Sequence, residues 1–214
     1  MSKAIIVIGI HQEELAFGER VAELLEKAGI DVLRIEQGLS SRKPVFDDLF
    51  YYTTRHQEIY LQLRQQIKKR YDLLIDLHSG INESGVCADV FSKHIDLLDC
   101  LKTVSKKCSN IRCPLPDPIR LTRIIEDSEK IDDPAEGNEE VGTKIQDQGY
   151  PFCLTVIPQA VWASKDFIYV GLEIYLPRPG AGTMEDWRFT AEIVKSILKC
   201  DESLRNSFGQ PDVF

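Results

Sequence analysis

No apolar run in this 214-residue chain approaches the roughly 18 residues that cross a bilayer, which predicts a protein without a transmembrane segment. There is no excess of basic charge. The 26 Lys and Arg residues face 34 Asp and Glu, for a net charge of −8, with no basic stripe interleaved with aromatics. Nucleic acid is therefore not the expected partner. Lys3 precedes a short apolar run that ends in polar residues rather than in a small-residue cleavage site, so no secretory leader is expected and the predicted compartment is the cytoplasm. The six cysteines contain no C-x-x-C, and a domain of this size does not need covalent staples; reduced, mostly buried thiols are expected. Neither G-x-G-x-x-G nor G-x-x-x-x-G-K-[ST] follows any strand, and G-x-S-x-G is absent, which argues against nucleotide-binding and serine-hydrolase chemistry.

The chain does contain the pattern of an α/β domain. Ala4–Ile10 is a short apolar run rich in Ile and Val, as in a buried strand. Leu15–Ala28 has apolar residues at spacings of three and four and stops at Gly29, as in a helix. Asp31–Ile35 completes a βαβ unit with a parallel strand pair. A second amphipathic helix follows from Thr53 or Thr54 to about Lys69, with Ile59, Leu63 and Ile67 on one stripe. Asp72–Leu77 is the next predicted strand, and His78–Gly85 a polar loop beyond it. Further on, the pattern predicts helices over Lys93–Lys107, Glu139–Gln148 and Met184–Lys199. Strands are expected at Asn110–Cys113, Phe152–Ile157 and Phe167–Leu176. With no repeat and no dividing linker, residues 1–200 form one predicted domain and 201–214 a tail.

Ligands of open α/β sheets gather outside the carboxyl ends of the strands. Two of the four histidines, His11 and His78, fall at such ends, whereas His56 and His94 fall in or beside helices. His11 and Glu14 form H-x-x-E at a turn into a helix, where residues three apart point the same way. With His78 they make a His₂Glu set, which leaves zinc an open position. Taken singly, His11 also fits a helix-start histidine packed on its own turn, and His78 a locally bonded loop histidine; the joint pattern favours the metal. Asp76, two residues before His78 on the same side of the strand, is placed to orient that ring through its second nitrogen, or to cap the loop. In Ile168–Leu176 the aliphatic residues alternate with Tyr169, Gly171, Glu173 and Tyr175. Glu173 then belongs either to a strand with one wet face or to a proton-transfer site beside the metal.

His11-Gln12-Glu13-Glu14, Asp76-Leu77-His78 and the lone strand glutamate Glu173 together resemble the zinc carboxypeptidase clan, and within it the succinylglutamate desuccinylase/aspartoacylase branch. The resemblance implies a three-layer α/β/α sandwich on a mixed, mainly parallel sheet. It implies one zinc ion on His11, Glu14 and His78, with Glu173 as general base and acid. The implied activity is hydrolysis of the amide of an N-acyl amino acid or of a peptide C-terminus, on substrates bearing a carboxylate; the alternative is a member that binds metal and a small ligand without turnover. The Asn-Arg pair that receives a substrate carboxylate in the family is missing between the two metal motifs. Arg42 and Arg55 flank that region and are the candidate replacements.

Overall fold

The structure is a computed structural model, and it describes residues 3–39, 49–105, 118–126 and 149–208. Its centre is a seven-stranded sheet. The strands in chain order are β1 (Ala4–Ile8), β2 (Asp31–Arg34), β3 (Leu73–Ile81), β4 (Cys87–Ser92), β5 (Ile119–Ile124), β6 (Phe152–Cys153) and β7 (Ile168–Leu176). Their spatial order is β2-β1-β3-β7-β4-β5-β6, and every neighbouring pair is parallel except β7 with β4. Helices α1 (Leu15–Glu26), α3 (Ile95–Ser105) and α5 (Met184–Phe208) cover one face; α2 (Leu49–Ile67) and α4 (Gln159–Trp162) cover the other. This is the expected three-layer sandwich on a mixed, mainly parallel sheet.

Period-two alternation deals the apolar residues to the two faces. Ile6 and Ile8 of β1, with Leu73, Ile75 and Leu77 of β3, meet Phe17, Val21 and Leu25 of α1 and Val194 and Ile197 of α5. Ile5, Val7 and Leu74 meet Tyr60, Leu63 and Ile67 of α2 and Trp162 of α4. After β1 the chain passes to β2 on one side, then returns through α2 to β3 on the other side. The strand order thus reverses at β1 and β3, where an open α/β sheet leaves a crevice at the strand ends.

Several expectations are corrected. β3 runs to Ile81, so His78 lies inside a strand rather than beyond one: the polar stretch His78–Ile81 pairs residue for residue with Glu173–Leu176 of β7, which satisfies its backbone. β4 and β5 lie where no strand was expected, and β6 is two residues long instead of six. Helix α5 continues eight residues beyond position 200: Cys200 and Asp201 are fully buried, and Arg205 binds both Asp201 and the Asp72 carbonyl. The reduced-thiol expectation fails for one pair. Cys100 and Cys200 form a disulfide joining α3 to α5, with Cα atoms 5.7 Å apart; packing of the two helices brings together residues that lie 100 positions apart in sequence. Cys87 and Cys153 are free. The strand expected at 110–113, the helix expected at 139–148, Cys108, Cys113 and Arg42 lie outside the described residues. No helix among the described residues is long and apolar enough to cross a membrane.

Candidate metal centre

The segment after β1 is held in place by the segment after β2. Ile35 N–H donates to the Ile8 carbonyl at 2.9 Å, Leu39 N–H to Ile10 at 2.8 Å and Gln12 N–H to Leu39 at 2.7 Å. This close approach requires Gly38, because a Cβ there would sit 2.0 Å from the Gly9 carbonyl oxygen. His11 therefore enters the next turn from an extended backbone, and Gln12–Glu14 forms a short 3-10 turn. The turn exposes Gln12 and Glu13 and directs Glu14 back toward His11.

Glu14 is the hub of the site. Its Oε1 lies 3.0 Å from His11 Nδ1 and its Oε2 lies 2.9 Å from His78 Nδ1. One ligating atom from each of these three residues lies within 4.8 Å of the other two, so the expected His₂Glu set does converge. The second nitrogen of His78, Nε2, lies 3.1 Å from Asp76 Oδ2. That same oxygen accepts hydrogen bonds from Tyr60 Oη at 2.6 Å and Tyr169 Oη at 2.9 Å. Asp76 is fully buried, and its other oxygen, Oδ1, has no hydrogen-bond partner among the described residues.

The charges explain the ionisation states. Burial opposes a charge on His78, yet Asp76 and Glu14, one carboxylate at each ring nitrogen, hold its pKa well above the ordinary value. Burial likewise pushes the Glu14 and Asp76 carboxyls up. Hydrogen bonds and charge from His11 and His78 outweigh this for Glu14, and His78 with the two tyrosines does so for Asp76, so both carboxyls end below their ordinary values. A site that stabilises a proton between two carboxylates is built for positive charge. Two imidazole nitrogens and one carboxylate suit zinc as a donor set, and Asp76 engages Nε2 of His78, leaving Nδ1 on the Glu14 side.

Glu173 pairs in register with His78 across β3 and β7, on the same face of the sheet. Gly80 leaves room for its carboxylate: a Cβ there would lie 3.0 Å from Glu173 Oε1. Burial pushes the Glu173 pKa from 4.5 up to about 7, with smaller opposing contributions from the nearby histidines and acids. The polar row continues on the same face. Asp89 of β4 pairs with Glu173, and Arg120 of β5 pairs with Asp89, which takes Arg120 Nε at 2.5 Å and Tyr175 Oη at 3.1 Å.

His11, Glu14, His78, Asp76 and Glu173 are thus gathered at one place. Arg55 is exposed on α2 and ion-paired with Glu58 at 3.3 Å. Sequence reasoning missed three aromatic neighbours: Tyr60, Tyr169 and His56. His56 is buried, with its ring 6.2 Å from that of His11 and 4.9 Å from that of Tyr60, and burial lowers its pKa. The signal was present. Extending the Leu63–Ile67 stripe backwards by two turns gives Tyr60 and then His56, and Tyr169 alternates with Glu173 on the polar face of β7.

No family model matches the chain, and no curated protein matches it in sequence. Solved structures do. Murine aminoacylase 3 is 16% identical with a TM-score of 0.47; the match covers 96% of this chain and 66% of the aminoacylase. The CwlD amidase from Clostridioides difficile, solved in complex with the GerS lipoprotein, is 11% identical over 95% of this chain and 98% of its own, with a TM-score of 0.48. The succinylglutamate desuccinylase/aspartoacylase from Rhodobacter sphaeroides is 11% identical with a TM-score of 0.42, over 92% of this chain and 55% of its own. This chain therefore spans just under two thirds of the aminoacylase and little more than half of the Rhodobacter protein.

Proposed function

We propose that this chain is a zinc-dependent hydrolase of carbon–nitrogen bonds, cleaving the amide of an N-acyl amino acid or of a peptide C-terminus. The observation that supports this best is the convergence of His11, Glu14 and His78 beside a half-buried glutamate whose pKa lies near neutrality. His11 and His78, through Nδ1, and Glu14 would hold one zinc ion. When bound, the ion supplies Lewis acidity toward a carbonyl and a water that loses its proton near neutral pH. Everything else is done by the chain. Asp76, braced by Tyr60 and Tyr169, keeps the Nε2 side of His78 occupied and its Nδ1 turned toward Glu14. Glu173 takes the proton of the attacking water and returns it to the departing nitrogen. A carboxyl with a pKa of about 7 is matched to both halves of that transfer.

The test combines metal analysis with turnover. The purified chain is expected to bind one zinc per molecule, and His11→Ala or His78→Ala to lose it. Glu173→Gln is expected to keep the zinc and lose roughly 10²–10⁴-fold in kcat. Zinc binding with no turnover across a panel of acyl amino acids and peptides would leave a ligand-binding protein in place of an enzyme. Full activity of Glu173→Gln would remove Glu173 from the chemistry.

A further inference from the structure

Beside the metal centre, on the same face of the sheet, lies a cavity of about 250 Å³. This is many times the roughly 15 Å³ needed by one water. His78, Glu173 and Thr155 supply polar groups to its wall, and most of the remainder is built by Phe91, Ile124, Cys153, Ile157, Tyr169 and Leu172. Gly171 forms part of the wall without filling the space: the nearest side-chain atoms to a Cβ there are 3.4 Å away. Among the described residues, no lysine or arginine lines the cavity. Burial pushes the Cys153 thiol up to about 11, so at neutral pH it contributes a neutral, apolar surface. Leu154, also on the wall, is 46% exposed, which gives the entrance an apolar lip.

We propose that this cavity receives an apolar group flanking the scissile amide, an aliphatic or aromatic acyl chain or side chain, and so selects uncharged, apolar substrates over acidic ones. The inference rests on the hydrolase reading above and narrows its substrate class. A carboxylate entering the cavity would exchange water for a mostly apolar wall and lie beside Glu173, whereas an aliphatic or aromatic group loses nothing by desolvation and gains contact with that wall. Contact with His78 and Glu173 places the occupant next to the bond to be broken.

Two measurements on the zinc-loaded full chain test this separately from catalysis. The first is kcat/KM for two series: N-acetyl-leucine and N-acetyl-phenylalanine against N-acetyl-aspartate, and isovaleryl-glycine against succinyl-glycine. A preference of roughly 10- to 200-fold for the apolar member is expected in at least one series, and that series tells whether the side chain or the acyl chain occupies the cavity. The second is calorimetric binding of isovalerate, phenylacetate and succinate, whose carboxylates are alike and whose tails differ. Isovalerate or phenylacetate is expected to bind at least tenfold tighter than succinate, and Cys153→Phe to abolish that advantage by filling the cavity. Should Cys153→Phe fail to fold, Cys153→Ala widens the cavity and is expected to favour phenylacetate over isovalerate more than the parent does. Equal or tighter binding of succinate, or equal or faster turnover of the acidic substrates in both series, overturns the proposal even if amides are hydrolysed. Tail selectivity without any turnover upholds the cavity and overturns only the hydrolase reading.

Discussion

Glu173→Gln changes stability as well as chemistry, and the size of the effect follows from the site. Burial raises the folded-state pKa of this carboxyl from 4.5 to about 7. Below pH 4.5 the group is protonated in folded and unfolded chains alike, and burial costs no charge. Between 4.5 and 7 the folded chain holds a proton that the unfolded chain has released, so stability falls as pH rises. Above pH 7 the buried carboxylate costs the folded state about 3 kcal/mol, at ~1.4 kcal/mol per pH unit. Glutamine has the same shape and no charge to bury. The variant is therefore expected to match the parent near pH 4.5 and to exceed it by about 3 kcal/mol at pH 8, or about 6–12 °C in melting temperature for a chain of this length. The assay is urea unfolding of chelator-treated protein from pH 4.5 to 9, followed by circular dichroism; removing metal matters because a cation would favour the charged carboxylate. Parallel stability curves for the two proteins across that range would refute the claim that Glu173 is a half-buried base with a raised pKa.

Three further outcomes are expected. Tyr60→Phe and Tyr169→Phe each remove a hydrogen bond from the fully buried Asp76 carboxylate, so each is expected to cost about 1–3 kcal/mol in chemical unfolding and to weaken zinc binding about 10–100-fold in chelator competition; unchanged affinity would free His78 from dependence on this brace. Cys100→Ser or Cys200→Ser is expected to lower unfolding stability by about 2–4 kcal/mol, because the bond closes a loop of 100 residues, while leaving zinc affinity unaltered, since the disulfide lies on the sheet face opposite the metal centre. Arg55→Ala is expected to change kcat/KM less than twofold, the guanidinium being exposed and engaged by Glu58; a tenfold loss would make it a substrate contact.

The parts of the site that were legible in sequence are those tied to backbone period. His11 follows an unbroken apolar strand, Glu14 lies one turn on, and Glu173 interrupts a nine-residue alternation, so each position was fixed by local pattern. The parts that were not legible depend on partners far away in the chain. His78-Ser79-Gly80 has the composition of a loop and becomes strand because β7 supplies its hydrogen bonds. Cys87–Ser92 alternates only weakly, and its reversed direction beside β7 leaves no mark in its own residues. Cys100 and Cys200 carry no spacing signature, since only the packing of α3 on α5 makes them neighbours. The brace on Asp76 combines a helix residue 16 positions upstream with a strand residue 93 downstream.

The clamp on His78 has a bearing on how the centre fills. With a carboxylate at each ring nitrogen, Glu14 Oε2 at 2.9 Å and Asp76 Oδ2 at 3.1 Å, the imidazole favours its protonated form in the absence of metal, and that charge offsets the like charges of Glu14 and Asp76. On the proposed reading, zinc loading would then exchange one cation for another within a framework that already exists, and acid in the medium would compete with metal supply.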